Sequence, residues 1–82
     1  MEEMLYARSG DTAFLIEQKP DGIFLFSFLP NGFVGDTWHQ SIDEAKAQAD
    51  YEAGAAIGSW EIVSAEFQAD LYAKSKILSS QQ

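Results

Sequence analysis

Two turn triplets, Pro20-Asp21-Gly22 and Pro30-Asn31-Gly32, constrain this chain more than any other feature. In each, proline presets the first turn position, Asp or Asn tolerates the bridge or left-handed region, and glycine accepts a positive φ. Between them runs Ile23-Phe24-Leu25-Phe26-Ser27-Phe28-Leu29, which is strongly β-prone. A strand held between two such turns specifies a meander, with Thr12 to Gln18 as the strand before it and Phe33 to His39 as the strand after. Leu5 to Arg8, ahead of the turn Ser9-Gly10-Asp11, is the weakest strand, because Met1 to Tyr6 also reads as frayed or helical.

In the central strand Phe24, Phe26 and Phe28 point one way, and Ile23, Leu25 and Leu29 the other, interrupted by Ser27. A sheet wet on one side alternates apolar with polar residues. This one does not, so both of its faces are expected to be covered. Ser41-Ile42-Asp43-Glu44 matches the S-x-x-E capping box and opens a helix that runs to Gly54, a good residue for the left-handed C-terminal position. Asp43 and Glu44 suit the positive end of its dipole. Ile42, Ala45, Ala49 and Ala53 form one narrow stripe, with Ala47 and Tyr51 opposite. That stripe is expected to lie close against the phenylalanine row, small side chains meeting large ones. The second cover is either the C-terminal segment or a neighbouring subunit. Trp60 to Ser64 reads as a further strand with Trp60 and Ile62 on one face. Ala65 to Ile77 reads as a second helix with a stripe of Phe67, Leu71 and Leu78 and with Lys74 and Lys76 near its negative end. Residues 79–82 are expected to be a mobile tail. The expected fold class is therefore α+β. An antiparallel meander of three to four strands is packed by an alanine-faced helix, then followed by a short strand and a C-terminal helix, all in one small domain spanning 1–82.

Such a short chain buries only about 60% of the surface its unfolded form exposes, so its core is thin. Hydrophobic residues make up 46% and aromatic residues 13%, which argues against disorder. Cysteine is absent, so neither a disulfide nor a thiolate metal site is available. No apolar run approaches the roughly 20 residues of a membrane span. The opening MEEMLYARSG carries acids where a signal peptide has bases, so the expected location is cytoplasmic, with no membrane role. Thirteen acids against five bases give a net charge of −8. Counterion release from phosphate needs clustered Lys and Arg, so direct nucleic-acid binding is not expected. An acidic surface is usually a solubility device; the sharper reading is a docking face for a basic partner.

Candidate site residues gather at Asp36, Trp38, His39 and, on the outer face of the first helix, Tyr51. His39 could serve as a base, a metal ligand or a pH switch, but catalysis and coordination need company. No second histidine completes a metal set, and Asp36, three residues away in a strand, points to the opposite face. The commoner role for such a histidine is a bond to backbone or water just before the helix cap. Trp38 is either the plug of a small core, with Trp60 as its counterpart, or an anchor for a ligand or partner. Gly35-Asp36 reads as a bulge or local bend. Dinucleotide, phosphate-loop and serine-hydrolase motifs are all missing. No catalytic residue, metal or cofactor is therefore expected.

The run VGDTWHQSIDEAKAQADYEAG, with the later Trp60, resembles a group of short bacterial proteins that share GDTWH, a helix rich in E-A and Q-A pairs, an acidic-aromatic-glycine end and a later tryptophan. The likeness covers about Phe33 to Val63. It implies a bacterial origin and an α+β fold, and no catalytic residue. Ala53 departs from the group, which has an aromatic residue before the glycine, and that puts a pocket or interface there in doubt. The order strand, G-D-T, E-A-rich helix is also similar to antitoxin domains of the HicB type, in geometry alone. The expected function is a small acidic protein-interaction module, accessory or immunity-like, with a protein partner or a second copy of itself. The alternative is a small-ligand binder with a cleft near Trp38, His39 and Tyr51.

Overall fold

Four strands follow one another as a meander: β1 (Met4–Ser9), β2 (Thr12–Lys19), β3 (Gly22–Phe28) and β4 (Val34–His39). Helix α1 (Ile42–Ala53), strand β5 (Glu61–Val63) and helix α2 (Ala65–Ser80) complete the chain. The computed structural model describes residues 4–32 and 34–80, and the side chains of Tyr72 and residues 74–80 lie outside that description. All pairings are antiparallel, in the order β4-β3-β2-β1-β5. The α+β architecture is the expected one. Both Pro-x-Gly turns form, with Gly22 at φ 149 and Gly32 at φ 92, values that exclude most side chains. Leu5 to Arg8, the weakest reading, is a full strand, and it lies inside the sheet because β5 adds beside it.

Helix α1 forms as its sequence demands. Ser41 accepts a hydrogen bond from the Glu44 backbone N–H, and the Glu44 carboxylate reaches back to the N–H of Gln40. At the other end Gly54 adopts φ 75 and donates to the carbonyls of Asp50 and Tyr51. Ala45 and Ala49 are fully buried, while Ile42 and Ala53 pack around them. Their sheet partners are Phe14, Ile16, Ile23 and Leu25. The phenylalanine row of β3 is thus on the far face, against expectation. Strict alternation puts Ile23, Leu25 and Ser27 under the helix, and the helix chose that face because branched aliphatic side chains and Phe14 fill it. Ser27, the polar break in the run, is buried and donates to the Glu52 carboxylate of α1 at 2.7 Å, so the interruption is matched from above. Beyond α1, the Asp50 carboxylate accepts the N–H of Ile57 at 2.8 Å and ties down the connection to β5.

The second face has a second core of Ala13, Leu15 and Phe28, joined by Met4, Tyr6, Phe26, Val63 and Leu71. Its lid is α2, the C-terminal segment of the two covers expected. Phe67 meets Tyr6 edge-on with ring centroids 4.7 Å apart, and Leu71 packs on the cluster. Gln68 donates to the buried carboxylate of Glu17 at 2.6 Å, and Lys19 stands 3.5 Å from the same group. Helix α2 continues three residues past the expected Ile77, through Ser79 and Ser80 of the expected tail. Gln81 and Gln82 lie outside the described residues, as do the side chains of Leu78, Lys74 and Lys76.

Candidate functional site

The described contacts of α2 fall on β1, β2 and the cluster that includes Phe28, and an aromatic ledge lies on the β3–β4 half of that face. Register builds it. Phe24 faces Trp38 across the strands, Phe26 faces Asp36, and Phe28 faces Val34, so all six side chains rise from one side of the sheet. Phe28 is buried and Phe24 and Phe26 are half-buried, with their rings stacked at 6.4 Å. Lys19 lies 5.6 Å over the Phe24 ring. At the outer edge Trp38 is 53% exposed and Val34 is 37% exposed, with Asp36 exposed between them.

Trp38 is therefore not a core residue. Its indole lies across the β2–β3 turn, where Nε1–H donates to the Asp21 carbonyl at 3.0 Å. A methyl group on Gly22 would fall 1.9 Å from that nitrogen. The glycine thus serves twice, by accepting φ 149 and by clearing a seat for the ring. The Nε1 corner of the indole is anchored on the turn while about half of the residue faces water. Trp60, its expected counterpart, packs with the α1-side core beyond the opposite edge of the sheet. Ile62 pairs with Leu5 on that same α1 side yet stays 72% exposed at the β5 edge.

The remaining site residues are dispersed. His39 pairs with Ile23 and so rises on the α1 face, away from Trp38 and Asp36, where its Nε2 shares a 2.7 Å hydrogen bond with the Thr37 hydroxyl. That bond runs to a neighbouring side chain. Tyr51 is 82% exposed on the outer side of α1. Asp36 and Trp38 come together, and His39 and Tyr51 belong elsewhere. Gly35 and Asp36 pair in unbroken register with Ser27 and Phe26, so the expected bulge is absent. Among the described residues no group of His, Asp or Glu could hold a metal ion. A cleft of about 370 Å3 opens instead between β1 and α2, lined by Tyr6, Arg8, Asp11, Phe67 and Asp70. Sequence reasoning missed the ledge for one reason: the pairing Phe24–Trp38 depends on register, and the Pro30-Asn31-Gly32 turn alone leaves that register open. No protein-family model, curated protein or solved structure matches this chain significantly.

Proposed function

We propose that the protein is a small acidic interaction module whose contact surface is the ledge of Phe24, Phe26, Val34 and Trp38. One observation carries this reading: Trp38 is hydrogen-bonded to Asp21 and lies against Gly22, yet half of it faces water. An exposed indole already bonded to its own turn loses less side-chain entropy on binding than a free one, and tryptophan is among the residues that dominate interface energetics. The surrounding half-buried phenylalanines give it an apolar floor. The small-ligand alternative needs Trp38 and His39 in one cleft, and the sheet separates them.

The test is association of the intact chain with protein, followed by sedimentation velocity over a wide concentration range and by affinity capture with crosslinking. Wild type is expected to engage a partner or a second copy, and Trp38→Ala to lose that engagement while its circular dichroism stays unchanged. Association that is indifferent to Trp38, with crosslinks on α1 or in the β1–α2 cleft, would remove the ledge from the mechanism.

A further inference from the structure

We infer that the ledge receives an extended, positively charged polypeptide segment that adds to the sheet as a sixth strand along β4; the inference rests on the interaction-module reading. Three observations combine. First, β4 is the outermost strand at its end of the sheet, and all six of its residues pair regularly with β3. Every second residue therefore turns its N–H and C=O outward, a template for another strand. Protected edges carry proline, charged side chains or a bulge. Val34-Gly35-Asp36-Thr37-Trp38-His39 has neither proline nor bulge, its one carboxylate, Asp36, opposes an acidic strand but not a basic one, and two of its side chains are exposed large apolar groups.

Second, alternation in an added strand would place every other side chain beside Val34, Asp36 and Trp38. An apolar residue fits beside Val34. A guanidinium next along would have the exposed Asp36 carboxylate and the half-exposed Trp38 indole on one side of the strand, a charge and a π-system together. Third, the exposed charge around this edge is mostly acidic. Asp21 lies in the turn under Trp38, Asp36 on the strand, and Asp43 and Glu44 in the first turn of α1 just beyond His39; all four are exposed. Lys19, the cation of the ledge, is already paired with Glu17. A second copy pairing antiparallel along β4 would bring Asp36 near its own duplicate at the centre of the seam, in chains that each carry −8. A basic segment meets no such opposition, and the acidic field accelerates its approach.

The full-length chain, labelled with 15N, is titrated with a capped peptide alternating arginine and valine. Two controls accompany it, one with glutamate for arginine and one with alternate backbone nitrogens methylated. Expected are amide shifts along β4, blue-shifted Trp38 emission with the basic peptide, and neither effect with the controls. Asp36→Asn, an exposed substitution that leaves the core intact, is expected to weaken binding about two- to fivefold, the range of an exposed ion pair. Trp38→Ala is expected to weaken it about tenfold or more. Equal binding of the acidic peptide, undiminished binding of the methylated one, or shifts confined to α1 or the β1–α2 cleft would overturn the inference. So would dimerisation through β4 with no peptide binding; that outcome, or a captured partner lost with Trp38→Ala, would leave the interaction-module reading standing.

Discussion

Gly22 carries a backbone angle that a side chain opposes and supports a ring that a side chain would displace. The two effects are separable. Gly22→Ala is expected to cost about 1–3 kcal/mol, the range for a residue held in a sparsely populated φ region, and urea denaturation reads it. If the seat of Trp38 contributes, the cost shrinks when the same change is made in Trp38→Ala; if backbone strain is the whole effect, the cost is the same in both backgrounds. Trp38→Ala itself is expected to lose well under the about 3–5 kcal/mol of an emptied aromatic core, because half the ring is already wet. Glu17 is a different case, a carboxylate buried within a strand that reads as plainly apolar, TAFLIEQ. Its partner Gln68 comes from the far end of the chain. Gln68→Leu is expected to destabilise by about 1–3 kcal/mol, the cost of weakening a buried acceptor's solvation, measured by thermal unfolding. Nothing local in the sequence pairs these two residues, so burial at Glu17 was not legible. The side chain of His39 was legible to the extent of its face, since period two fixes that once β4 is known.

At the level of elements, α1 was readable almost residue by residue. Its cap, its glycine stop and its alanine stripe all follow from local chemistry, and local chemistry does not depend on topology. The surface that the stripe lies against was not readable. Period two divides β3 into two apolar sets but leaves open which set a later helix covers, and the small-against-large argument favoured the phenylalanines. Phe14, on β2, decided the matter by filling the α1 face beside Ile23 and Leu25. Close packing makes the stripe sensitive to added volume. Ala49→Leu is expected to destabilise by about 1–3 kcal/mol or more, as for overpacked cores, whereas Ala47→Leu on the exposed face should stay within about 0.5 kcal/mol. Equal effects of the two in chemical denaturation would contradict the observed orientation of the helix.

For the whole molecule, five strands separate two unequal cores, one under α1 and one under α2. Removing everything after Ser64 would uncover Leu15 and Phe28 while leaving the α1 side complete. Such a truncated chain is expected to bind a hydrophobic dye and to self-associate, as compact states with exposed apolar surface do; a dye-silent monomer would show that the α2 side adds little. The strand order that makes this division was beyond the sequence, because β5 is three residues long and carries no turn signal linking it to β1. That late partner has a consequence during synthesis. Met4 to Tyr6 are made early but pair with Glu61 to Val63, so at about 5–20 residues per second the ribosome delivers the completing strand some seconds after the first. Through that interval one flank of the nascent hairpin stands unoccupied, and any helper that shields growing chains would find its opening there.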